Sequence, residues 1–473
     1  MSTDVAVTDE PRAIDGNFVN GRTFCITAIM WESGQSIPNA FLRTNSSFDF
    51  PSLPTAATRC WRLAGLSRTD RHGRHTHQNQ TTHSLECENG RKRSLEGSLA
   101  FRRRSTGPQP RKPNRCAGPC FVTSCVWAVD ADQKATQPEH RISCYRLVDG
   151  KQLWDRVVKP GPWKISDLRG GYSAPSPASD GKHVFAAFGS SILHALTLDG
   201  EPVWSQVIPD HTAFDVAMAA SPVVFEDTVI LLTDRKSAKS TIQAFDAATG
   251  KQRWQRKREK TSFGHVTPVL AQVNNRPQLL VSATQALQGV DPNNGKVIWS
   301  CKWGRGIWPV ASPVMAKGLV YCMGGRGGHP GLIVDPGGMG DVTSSHLKTK
   351  LGPAPSGLGS PVAYGDLVFR INHPGILLCI KITTGEELYK ERLPQGIDPA
   401  ISPVITPDGL IYIASAGKSL VVRASEKFEP LGESDLGDAS HASAAVSDGK
   451  LVLKGKAHLW CIGKKQFLEN SNQ

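Results

Sequence analysis

A unit that recurs through the C-terminal three quarters of this 473-residue chain limits what it can fold into more than any local preference does. The unit is a small residue, often an Asp two later, a Gly four after that, and a Trp four further on. It is clearest as Ala244, Asp246, Gly250, Trp254 and as Gly289, Asp291, Gly295, Trp299. Cys144, Gly150, Trp154 fit the same frame, Ala195, Gly200, Trp204 fit it with one residue deleted, and Cys379, Gly385, Tyr389 fit it with Tyr for Trp. A second marker keeps step: Ser176-Pro177, Ser221-Pro222, Thr267-Pro268, Ser312-Pro313, Ser360-Pro361 and Ser402-Pro403, with a degenerate Ala444-Ala445 last. The prolines are 45, 46, 45, 48 and 42 residues apart, and Ala445 follows after another 42. That is the length of one four-stranded propeller blade.

Between the markers the chain reads as strands. Thr228 to Leu232, Leu319 to Tyr321, Leu367 to Phe369 and Leu410 to Tyr412 are short aliphatic, β-branched or aromatic runs, each beginning just after an Asp or Gly. No stretch keeps a helical period. The Gly of the unit lets a tight turn take positive φ, and the Asp accepts hydrogen bonds from that turn's own backbone. The Trp supplies apolar area that one sheet cannot cover alone, and stacking blades around an axis covers it. The expectation is an all-β chain: an eight-bladed propeller of four-stranded blades over residues 121–465, with residues 466–473 as a tail. Eight blades require the irregular fifth and seventh units and strands from residues 121–143. The Pro marker by itself counts seven, so a seven-bladed ring is the alternative.

On these residues, Ala244 to Trp254 and Gly289 to Trp299, the chain resembles the tryptophan-docking motif of the pyrroloquinoline quinone (PQQ)-like repeat. The repeat region as a whole is similar to bacterial PQQ-like β-propeller proteins of the quinoprotein alcohol dehydrogenase-like superfamily. That repeat is shared by quinoprotein dehydrogenases, by an outer-membrane assembly lipoprotein that is a scaffold, and by sensor regions of some bacterial serine/threonine kinases, so the fold does not choose among them. The resemblance implies a periplasmic or extracytoplasmic location, although the start Met1-Ser2-Thr3-Asp4-Val5 carries no export signal.

Dehydrogenases of this fold hold the quinone against two adjacent cysteines, beside a calcium ion and an Asp base. None of the 11 cysteines here has a Cys neighbour. Cys144 and Cys379 stand where other units place Ala or Gly and read as small buried apolar residues, and a disulfide between Cys301 and Cys322 is an open alternative. Asp246 and Asp291 recur in register, and a turn is needed in every blade whereas a catalytic group is needed once. The same logic makes Trp154, Trp204, Trp254 and Trp299 blade spacers rather than cofactor stackers. The function implied is a non-enzymatic binding or scaffold module with no catalytic residue, no metal and no cofactor. A PQQ-dependent dehydrogenase using PQQ with calcium, or a sensor propeller, is the alternative.

Residues just before each Ser/Thr-Pro vary between units: Tyr172, Asp215, His265, Trp308, Asp398 and His441. If the innermost strands begin there, these side chains face the mouth of the central channel, where they are the candidate site for a small polar ligand or a protein on one propeller face. The fifth unit is interrupted by Gly324 to Gly331 and Asp335 to Asp341, read as a long loop, since no Gly-Lys-Ser/Thr follows the glycines.

The first 120 residues differ. They contain no repeat, carry 17 Lys and Arg against 10 Asp and Glu, and so hold +7 of the net +13. They read as a basic, solvated, disordered arm or a doubtful N-terminus. Aromatic residues between the basic clusters are scarce, which argues against nucleic acid as a partner. No run of 18 apolar residues exists, so no transmembrane helix is expected.

Overall fold

A computed structural model describes residues 139–463 apart from 162–171, 209–217, 235–239, 259–263, 305, 326–329, 354–356 and 456, and, before them, the strands Cys25–Ile26, Ala28–Ile29, Thr81–Leu85, Leu95–Glu96, Leu99–Phe101 and Pro119–Val126. The described chain is all β, and its strands form eight blades, numbered here in chain order from Glu139–Arg146 onward. In blade 3 the antiparallel order from axis to rim is Val223–Phe225, Thr228–Thr233, Thr241–Asp246, Gln252–Lys257. Contacts between neighbouring innermost strands, such as Val314–Ala316 with Val362–Tyr364, carry the ring around the axis.

The recurring unit is the hairpin between the third and fourth strands. Its small residue lies opposite its aromatic one: Cys144 pairs with Trp154, Ala195 with Trp204, Ala244 with Trp254, Gly289 with Trp299 and Cys379 with Tyr389. A bulge follows the small residue in all five, which twists the outer strand and aims the aromatic ring. The turn behaves as its chemistry requires. Asp246 Oδ1 accepts the amides of Ala248 at 3.1 Å and Thr249 at 2.8 Å, and Gly250 sits at φ 71°.

Trp154 then reaches out of its blade. Its Nε1 donates to Leu198 O at 2.8 Å, and its ring covers Gly200 so closely that a Cβ there would stand 2.7 Å from Cδ2. Trp204 repeats this with Ala247 O at 2.9 Å and with Gly250. The Ser-Pro marker makes a second, inner belt. The amide of Ser176 donates to Ser221 Oγ, that of Ser221 to Thr267 Oγ1, that of Ser312 to Ser360 Oγ, that of Ser360 to Ser402 Oγ and that of Ser402 to Ser443 Oγ, all at 2.9–3.0 Å. Between blades 4 and 5 the bond runs the other way, with Ser312 Oγ donating to Thr267 O at 2.9 Å. These hydroxyls are fully buried, and each satisfies a backbone group of the adjacent blade.

The ring takes strands from the stretch read as an arm. Thr81–Leu85 is the outermost strand of blade 8, antiparallel to Leu459–Gly463. Ala28–Ile29, Leu99–Phe101 and Pro119–Val126 join blade 1, and Cys25–Ile26 pairs in parallel with His441–Ala442. The sheet boundary therefore differs from the break at residue 120, because a propeller closes by pairing distant ends of the chain and that pairing leaves no periodic trace in either end. The basic clusters of that stretch and the tail 466–473 lie outside the described residues. No helix among the described residues is long and apolar enough to cross a membrane.

Candidate functional site

The face where the innermost strands begin also carries the hairpins between second and third strands. The amide of Gly189 donates to Tyr172 O, and that of Ile307 to Thr284 O at 2.8 Å. The residues singled out from the sequence take different environments there. Tyr172 is 5% exposed and its ring lies 6.2 Å from that of His140, so it belongs to the seam between blades 1 and 2 rather than to an open channel. His265 and Trp308 are brought together: the His265 amide donates to Pro309 O at 3.1 Å. Trp308 is 51% exposed and bridges to Gly325, where a Cβ would stand 1.9 Å from Trp308 O. Asp398 is half-buried, and its Oδ1 accepts the amide of Ala400 at 2.8 Å, which is turn chemistry. Asp215 lies outside the described residues, and His441 is placed only by its backbone, in the strand beside Cys25–Ile26.

The buried seam behind Tyr172 holds a cluster that the sequence did not mark. His140 of blade 1 places Nε2 2.7 Å from Ser190 Oγ of blade 2 and stacks on Phe188 at 4.4 Å. His194 contacts Ser205 Oγ through Nδ1 at 2.7 Å and Lys159 O through Nε2 at 2.9 Å. Burial lowers His140 to about 3, with a smaller contribution from His194, and burial lowers His194 to about 4. A Ser–His pair at this distance is the geometry of an activated nucleophile. Ser190 is wholly buried, however, and accepts the Gly161 amide at 3.2 Å, so the pair joins blades. Only two isolated histidines a blade apart could have hinted at it.

Cys144 and Cys379, read as core residues, are core residues, and Cys301 and Cys322, for which a disulfide was open, are free. Cys120, Cys144, Cys301, Cys322 and Cys379 are buried free thiols, with Cys301 and Cys322 packed in one cluster around Trp299 and Trp303. Burial pushes Cys144, Cys322 and Cys379 up to about 12 and Cys301 to about 11, the opposite of a reactive thiolate. A quinone–calcium centre needs converging oxygen ligands and a paired thiol ring. Among the described residues no group of three His, Cys, Asp or Glu side chains converges as a metal ion would require.

A family model described as outer membrane protein assembly factor BamB matches residues 138–357. Among solved structures, BamB from Moraxella catarrhalis is 16% identical, covers 72% of this chain and 95% of its own, and superposes with a TM-score of 0.50. A europium-containing methanol dehydrogenase is 11% identical, covers 73% and 83%, and gives a TM-score of 0.51. No curated protein matches the chain. At these identities the likeness is one of fold.

Proposed function

From a chain that is a PQQ-like repeat β-propeller, we propose a non-enzymatic binding or scaffold module, placed outside the cytoplasm, that docks an extended segment of a partner protein against the rim of blades 1 and 2. The observation that carries this reading is the character of the outer strands. Gln152–Val158 exposes Leu153 and Val157 at 47% and 56%, and Pro202–Val207 exposes Val203 and Val207 at 39% and 51%. Each pair is spaced four residues apart and therefore shares one face of its strand. The rims of blades 3 and 6 are instead rich in charge, as Gln252–Lys257 and Glu386–Arg392, which is how an edge is kept from pairing.

Strand addition to a rim already occurs within this chain. Gly340–Asp341 pairs in parallel with Trp299–Ser300 on the outside of blade 4, where Val297 is 51% exposed. A partner segment adding to blade 1 or 2 would use the same backbone donors and acceptors, with the apolar pairs giving preference for an apolar-lined strand.

The test has two arms. Photo-crosslinking residues placed at Val157 and Val207 in cells should give a discrete protein adduct that is absent from the charged rim position Arg256. Purified protein titrated with PQQ and calcium should show neither quinone absorbance nor dye-linked alcohol oxidation. Equal adducts at all three positions would overturn the rim assignment, and alcohol oxidation would overturn the non-enzymatic one.

A further inference from the structure

Pairing with the innermost strand puts equivalent positions of the blades in register. The second-strand residues opposite Ala178, Val223, Val269, Val314, Val362, Val404 and Ala445 are Phe185, Ile230, Leu280, Tyr321, Phe369, Tyr412 and Val452. The residue that follows turns to the preceding blade. In blades 2, 3, 4, 5, 7 and 8 it is Ala186, Leu231, Val281, Cys322, Ile413 and Leu453, all buried. In blade 6 it is Arg370, 2% exposed.

A guanidinium at an apolar position of a packed seam is costly unless an anion compensates it. The other buried arginine of the described chain obeys this: Arg258 Nε lies 2.8 Å from Asp234 Oδ1. Arg370 makes no such ion pair among the described residues: the one carboxylate whose charge reaches Tyr321, that of Glu387, is held by Lys390. Its Cζ lies 5.9 Å from the centroid of the Tyr321 ring across the seam, and its Nε is buried with no hydrogen-bond partner. Two further polar atoms lie beside it. Tyr321 Oη has no partner but the Arg370 guanidinium itself, which opposes the effect of burial on that hydroxyl, and Asn372 Oδ1, two residues along on the same strand face, is buried without a partner. Burial pushes the Tyr321 hydroxyl up to about 12, so at neutral pH it is a neutral donor and supplies no countercharge. Water could bridge these groups but would leave the positive charge uncompensated.

We infer that the seam between blades 5 and 6 is an anion site, in which Arg370, with Tyr321 Oη as a second donor, binds a small monovalent anion of halide or simple carboxylate size. The planar guanidinium suits such an anion through its N–H fork, and Met323, Ile333, Val368 and Ile380 pack in the apolar cluster of the same seam, which favours a small anion over a large one. The site is independent of the rim docking proposed above.

Chloride is the probe. Thermal midpoints of the full chain are measured at constant ionic strength while chloride replaces gluconate, the larger anion. The midpoint should rise and saturate with chloride, as expected when a ligand binds only the folded state. Arg370→Met should lose that response and, in gluconate alone, melt no lower than the wild type. Acetate should reproduce the effect of chloride. If Arg370→Met does not fold, crystals of the wild type grown in bromide decide by their anomalous signal, expected within about 4 Å of the Arg370 guanidinium, the contact range of an anion with an N–H fork. A chloride response that persists unchanged in Arg370→Met would reduce the effect to screening of the net charge of +13. That outcome, no response in the wild type, or bromide found only elsewhere would each overturn the site.

Discussion

The seams between blades 2 and 3 and between blades 4 and 5 are built from the same sequence unit and are closed differently. Between blades 2 and 3 the half-buried Trp204 leaves its own blade, donates to Ala247 O and covers Gly250. Between blades 4 and 5, Trp299 stays within its blade. It is fully buried, donates through Nε1 to Gln278 Oε1 at 2.8 Å, and lies over Gly289, where a Cβ would stand 2.1 Å from that nitrogen. The reason lies in the next blade. Its hairpin turn has grown into the loop 335–346, which brings Gly340–Asp341 to the rim of blade 4 and Val342 onto the Trp299 cluster. An outward tryptophan needs a tight glycine turn to land on. Where that turn is replaced by a strand, the ring folds inward and the small residue opposite it must be glycine.

The largest effect that can break this comparison is truncation of the two rings. Trp299→Ala should cost about 3–5 kcal/mol, as a large aromatic lost from a core does, and Trp204→Ala, half solvated already, about 2 kcal/mol. Urea melts giving the reverse order would show that the outward rings, and not the inward one, hold the propeller.

Acid should weaken the seam between blades 1 and 2 before the seam between blades 4 and 5. His140 at about 3 and His194 at about 4 lie below the ordinary 6.5. The unfolded chain therefore binds protons between about pH 6.5 and 4 that the folded chain refuses, and stability present above about 6.5 is lost as pH falls. The loss at pH 4 should be on the order of a few kcal/mol, and His194→Gln should flatten the profile. A urea midpoint that does not move between pH 7 and pH 4 would refute the burial of both rings.

Glycine substitution sharpens the landing-site argument. Gly250→Ala places a Cβ 2.6 Å from Trp204 Cδ2 at φ 71°, whereas Gly340→Ala at φ 70° meets nothing within 4 Å. Both carry the strain of a left-handed backbone, about 1 kcal/mol, and only Gly250→Ala should lose about 1–2 kcal/mol more. Equal costs would mean that Trp204 moves aside freely.

The smallest effect concerns the inner belt, which runs through both kinds of seam. Ser221→Ala leaves the buried Ser176 amide without its acceptor and should cost about 1–2 kcal/mol, and Ser360→Ala, which strands the Ser312 amide, should cost the same. Unequal costs in urea melts would show that the belt steps on either side of the reversed Thr267–Ser312 step are not equivalent.

Much of the fold was legible in the sequence, because a propeller repeats one local solution. The 45-residue spacing, the Asp-Gly turn and the aromatic residue closing each unit are short-range requirements that every blade must meet. Even the difference at blade 4 left a trace, since Gly289 stands where the other units carry Ala or Cys. The site was less legible. The variable positions Tyr172, His265, Trp308 and Asp398 were correctly seen to vary, but variation does not say where a side chain turns: Tyr172 went into a seam, Asp398 into a turn and Trp308 outward.

By itself the sequence determined the all-β repeat, the blade length, and which turns need glycine, because these are set within a dozen residues of backbone. The tertiary structure alone decided that Ser176, Ser221 and their equivalents form a belt, that Thr81–Leu85 completes the last blade, that His140 meets Ser190, and that Arg370 faces Tyr321 across a seam. Those partners lie from about forty to several hundred residues apart in the chain. Their meeting depends on ring closure, and closure is a property of how blades pack rather than of any one blade.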